Sequence, residues 1–154
     1  MKLAEALALR ADSAKRIEQL RSRIEGNARY QEGEEPAEDA AALLTEVGEV
    51  LGEFEDLVRR INRTNASSRV GDMGTVTDAL ARRDALRLRH SIVFGAADAA
   101  MGQRGYGRQL RSELKMLSAL PVAELRSQAD DLARELREVD VNIQRANWEI
   151  DLLD

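Results

Sequence analysis

The chain has 154 residues, 44% hydrophobic and 33% charged, with no Cys, one His and a formal net charge of −5. That length can bury a core without covalent or metal staples, and the absent thiols exclude disulfide scaffolds, thiolate metal sites and cysteine nucleophiles. Charge alternates in blocks along the sequence: residues 1–31 carry +3, 32–58 carry −10, 59–115 carry +7 and 116–154 carry −5. This is the pattern of helices set beside oppositely charged neighbours rather than of a basic nucleic-acid surface.

The first predicted helix covers about 3–28, with a face of Leu3, Ala6, Leu7, Ala14, Ile17, Leu20 and Ile24. Glu5, Arg10 and Asp12 interrupt any export signal, and no run in the chain reaches the ~20 apolar residues of a membrane span. A cytoplasmic protein with no membrane role is expected.

A Gly- and Pro-containing acidic turn, Glu32 to Asp39, leads into a second helix over about 38–65. Its seam reads Ala40, Leu44, Val47, Leu51, Phe54, Val58, Ile61 and Asn65. A flanking column of Leu43, Val50 and Leu57 widens the stripe enough to touch two partners. Gly48 and Gly52 each cost this helix ~1 kcal/mol relative to Ala, a cost that close approach of another helix would offset. That approach could be within the chain or between subunits.

After a Gly71–Gly74 loop, Thr75 and Asp78 have capping-box spacing and open a third helix over about 76–101. Its best face, Ala79, Arg83, Leu86, His90, Val93, Ala97 and Ala100, puts Arg83 and His90 on the apolar side. An irregular connection is expected at about 102–120, with one short extended piece around 112–117. Its Arg104, Tyr106, Arg108 and Arg111 could form a mobile anion lid.

The clearest periodicity is the last, about 121–153, where Val122, Leu125, Ala129, Leu132, Leu136, Val139, Ile143, Ala146, Ile150 and Leu153 keep 3-4 spacing throughout. Pro121 suits its first turn. The sum is one all-α domain over 1–154: an elongated four-helix bundle or long antiparallel coiled-coil hairpins.

Several segments resemble small bacterial proteins labelled septicolysin: MKLAEAL at 1–7, Arg10–Asp12, QEGEEPAED at 31–39, INRTN at 61–65, TDALARRD at 77–84 and Asn147–Trp148. The resemblance implies a single all-helical domain and supplies no catalytic residue. The label suggests a cholesterol-dependent cytolysin, a β-rich, secreted, Trp-rich class. A Cys-free chain with one Trp and helical periodicity does not fit it.

In an up-down-up-down bundle one pole gathers Glu5, Arg10, Asn62, Arg63, Asn65, Asp78, Arg82, Arg83, Asp84, Asn147 and Glu149. Arginine forks and a helix N-terminus suit a small anion there. The competing reading is a polar layer that sets helix register, with Arg83 paired to Glu5 or Asp84 and Asn65 fixing the seam. His90, lacking a second His or Cys, reads as a boundary histidine before a proton carrier.

Glu34, Glu35 and Glu38, followed by Glu53 and Asp56, match the magnesium-binding spacing of all-α nucleoside triphosphate pyrophosphohydrolases. Pro36 and the outward placement of Glu53 and Asp56 oppose it, so no cofactor is expected, with magnesium as the alternative. The functional expectation is a structural or protein-interaction protein that forms homo-oligomers through helical faces or binds another protein. The alternative is a small-anion or nucleotide-binding protein, with a magnesium-dependent pyrophosphohydrolase within that class.

Overall fold

A computed structural model describes residues 1–102 and 114–154. The chain is all-α, and its described residues form helices α1 (Leu3–Asn27), α2 (Ala40–Ser67), α3 (Val76–Ala100) and α4 (Val122–Glu149), with a 3-10 turn at Gly71–Met73. The described residues contain no strand, only one isolated antiparallel bridge between Lys2 and Asp151. Their contacts sort into two compact units: residues 1–69 with 144–154, and residues 70–143. The expected lid residues Arg104, Tyr106, Arg108 and Arg111 lie outside the described residues, and 114–117 are not a strand.

The helix starts follow local chemistry. Asp39 accepts the amides of Ala41 and Ala42, which satisfies donors that the first turn of α2 cannot pair internally. At α3 the expected capping box is present: the Thr75 hydroxyl accepts the Asp78 amide at 3.2 Å and Asp78 accepts the Thr75 amide at 2.7 Å. Gly74 precedes it at φ 89°, and a Cβ there would sit 2.5 Å from the Asp78 carboxylate, so the box needs glycine on both counts.

In the first unit α1 and α2 form an antiparallel hairpin. Arg16 pairs with Glu46 and Arg23 with Glu38, so residues ascending α1 meet residues descending α2. Leu3, Ala6, Ile61 and Leu152 form its buried cluster, with Leu7, Leu57 and Ile150 packed against them. In the second unit Asp98, near the end of α3, meets Arg126, near the start of α4. Arg82 and Arg87, in the first half of α3, meet Glu135 and Asp140 in the second half of α4. These helices are also antiparallel, and they bury Val76, Ala79, Leu86 and Ala97 of α3 and Ala129, Leu132, Val139 and Ile143 of α4.

The end of α4 departs from the sequence expectation. The 3-4 spacing continues through Ile150 to Leu153, yet the helix stops at Glu149. Residues 150–154 run as a strap antiparallel to the start of the chain: the Leu3 amide donates to Ile150 O and the Leu152 amide to Met1 O, both at 2.9 Å. Leu152, off the helical seam, is the residue buried, while Leu153 is exposed.

Candidate functional site

The densest polar constellation of the first unit surrounds this strap. Three cations converge on it: Lys2, just before α1, and Arg60 and Arg63 of α2. Lys2 Nζ donates to Glu149 O at 3.0 Å and pairs with Asp151 at 2.8 Å. Arg60 reaches Leu153 O at 3.1 Å and the Asp154 carboxylate at 2.9 Å, and Arg63 reaches the Asp154 main-chain oxygen at 2.9 Å. The Lys2 ammonium, hydrogen-bonded to Asp151, holds that carboxyl below the usual aspartate range. Beneath these charges Thr64 is fully buried: its hydroxyl donates to Arg60 O at 2.8 Å and accepts the Leu153 amide at 3.0 Å.

The predicted pole is distributed over both units. Glu5, Arg10, Asn62, Arg63, Asn65 and Asn147 belong to the first; Asp78, Arg82, Arg83 and Asp84 belong to the second. Glu5 caps α1 by accepting the Lys2 amide at 2.7 Å. Arg10 and Asn62 are exposed, Asn65 is half-buried near the end of α2, and Asn147 is buried. In the second unit Asp78 caps α3, Arg82 pairs with Glu135 at 2.5 Å, and Arg83 forks onto Asp84 at 3.0 and 3.1 Å. Arg63 therefore does grip a carbonyl or carboxyl oxygen, as its fork suits, but the oxygen is supplied by the chain itself. The strap, with the cations it gathers, went unseen in the sequence. Its one readable sign is the Asp–Leu–Leu–Asp run that breaks the seam.

The two carboxylate motifs do not meet. Glu38 is engaged by Arg23 at 2.9 Å, and that hydrogen bond holds Glu38 below its ordinary value while raising Arg23. Fifteen residues further along, roughly 22 Å of helix, Glu53 and Asp56 line an open groove of about 510 Å³ with Arg60, Leu9 and Ser13, and Asp56 pairs with Arg59 at 2.6 Å. Among the described residues no group of three or more His, Asp or Glu side chains is placed to hold a metal.

His90 lies on the partly buried side of α3, where its ring stacks on Phe94 at 5.9 Å; the Arg126 guanidinium covers that same Phe94 ring at 5.0 Å while pairing with Asp98. The Arg126–Phe94 cation–π contact fastens α3 to α4. Gly48 and Gly52 face open space: among the described residues nothing lies within 4 Å of an added Cβ.

The comparisons with other proteins agree in scope. A sequence model described as "Family of unknown function (DUF6847)" matches residues 10–152. A solved structure titled "Crystal structure of a functionally unknown conserved protein from Corynebacterium diphtheriae" is similar over 99% of both chains, at 40% identity and a TM-score of 0.89. No curated protein matches. None of these matches carries the septicolysin label. Among the described residues no helix is long and apolar enough to cross a membrane.

Proposed function

We propose, for a chain that belongs to the DUF6847 family of unknown function, that it is a structural, protein-interaction protein that works as a self-associated helical assembly. The observation that carries this reading is a pair of large aliphatic side chains left in solvent: Leu88 and Ile92 of α3 are 66% and 69% exposed.

Helix α3 thus keeps aliphatic residues on a face turned away from its own buried side, and such residues are placed to pack against another protein surface.

The test is light scattering after size-exclusion chromatography, from 1 µM to 1 mM. The expected result is a mass that is a multiple of 17.1 kDa. A single species of monomer mass at every concentration overturns the proposal.

A further inference from the structure

Helix α3 is apolar on two opposite sides. One side buries Val76, Ala79, Leu86 and Ala97 within the second unit. The other carries Ala81, Ala85, Leu88, Ile92, Gly95 and Ala99, spaced 4-3-4-3-4, without a charged residue among them. Leu88 and Ile92 are 66% and 69% exposed. A solvated helix face normally carries charge, so two large aliphatics at the centre of an uncharged stripe are placed for contact.

The stripe has an internal symmetry about position 90. Reversing its order puts Leu88 opposite Ile92, Ala85 opposite Gly95 and Ala81 opposite Ala99, so large faces large and small faces small. Two copies related by a two-fold axis make this antiparallel match, because an isologous interface must be complementary to itself. In the same geometry, positions a and d of a heptad seam face each other across the pair. At its C-terminal end the stripe opens into an apolar groove of about 620 Å³, where Ala96, Ala99 and Met101 of the α3 end meet Met116, Leu117 and Leu120. Met116 and Leu117 are 96% and 85% exposed. An antiparallel partner would lay its Ala81–Ala85 segment, slim enough to enter, along that groove. The stripe spans ~27 Å of helix, and with the groove it offers a continuous apolar strip to a second copy.

We infer that the outer face of α3, centred on Leu88 and Ile92, is the interface between two copies of this chain, packed antiparallel about a two-fold axis near position 90. This rests on the self-association reading and names the surface that performs it.

The test compares the wild-type chain with Leu88→Glu/Ile92→Glu and, as a control on the other unit, Leu44→Glu, by sedimentation over the same concentrations. The expected result is a wild-type oligomer whose dissociation constant rises at least 100-fold in the double variant and changes less than threefold in Leu44→Glu, with helicity by circular dichroism unchanged. Because the chain has no Cys, orientation is read directly by disulfide trapping. Copies bearing Ala85→Cys, mixed with copies bearing Gly95→Cys, cross-link on oxidation, while neither variant cross-links alone. This second arm holds even where the double variant fails to fold. A wild-type chain that stays monomeric to 1 mM overturns both this inference and the self-association reading. A wild-type oligomer that the double variant leaves intact, or that traps Ala85→Cys with itself, overturns the α3 interface alone.

Discussion

The hydroxyl of Thr64 accepts the amide of Leu153 at 3.0 Å while donating to the Arg60 carbonyl at 2.8 Å, so one buried side chain near the end of α2 serves a segment 89 residues away in sequence. A partly buried amide that loses its acceptor keeps part of the desolvation cost of its unpaired state. Thr64→Val preserves shape and removes the hydroxyl. It should lower unfolding free energy by about 1–2 kcal/mol in urea titrations, and Thr64→Ser should recover most of the loss. A Thr64→Val protein as stable as wild type would show that the strap is held without this bond.

Leu152 is the strap's apolar anchor, buried with Leu3, Ala6 and Ile61. Leu152→Ala should destabilise by about 2–3 kcal/mol through lost burial and the cavity left behind. Hydrogen exchange supplies the local readout: the Leu3 amide, bonded to Ile150 O, should lose protection in Leu152→Ala more than amides in the middle of α1.

Asp151 and Glu38 both have folded-state values lowered by a hydrogen bond from a cation, Lys2 in the first case and Arg23 in the second. A carboxyl lowered on folding adds stability above its ordinary value, and that contribution is lost as pH falls through the folded value. Urea midpoints should therefore hold steady from pH 7 to about 5 and decline below about 4.5, under the ordinary carboxylate range. Lys2→Met should return the Asp151 titration, followed by NMR, to the ordinary aspartate range and leave that of Glu38 in place. An Asp151 titration unmoved by Lys2→Met would contradict the assigned cause. Both ion pairs are solvent-exposed, so 0.5 M salt should flatten the acid decline.

Gly48 and Gly52 sit in the interior of α2 with open space where a Cβ would project. With no steric cost on that side, Gly48→Ala and Gly52→Ala should each raise the thermal stability of the hairpin by about 0.5–1 kcal/mol, measured by calorimetry at a fixed protein concentration. A loss of stability in either variant would mean that another surface packs against these glycines in solution.

Local chemistry was legible in the sequence to the extent that it stayed local. The Thr75–Asp78 box was written within four residues, and α3 begins where it requires. The seam of α4 was also correct as far as Ala146, because its periodicity reports burial against a neighbouring helix. It failed at Ile150, where backbone pairing with Met1 and Leu3 outweighs continued helix; no pattern inside residues 121–153 encodes a donor 147 positions before Ile150 or an acceptor 151 positions before Leu152. The partners of the candidate pole's arginines were not legible, because they are set by tertiary placement: Arg63 takes Asp154 within the first unit and Arg83 takes its own neighbour Asp84 within the second. Leu88 and Ile92 escaped notice because α3 carries two apolar faces, and a single-face reading keeps only the one with more positions filled.

The strap also sets an order of events. Residues 144–154 complete the unit that residues 1–69 begin, and the whole of α3 is synthesised between them. As the chain leaves the ribosome, α1 and α2 can pair early, yet Leu3 and Ile61 stay partly open to solvent until residues 150–154 emerge. Closing that gap is a long-range step, and such steps are the slow ones in folding. For that interval the nascent protein presents an apolar notch ringed by Lys2, Arg60 and Arg63, a feature that a chaperone would meet and the finished fold conceals.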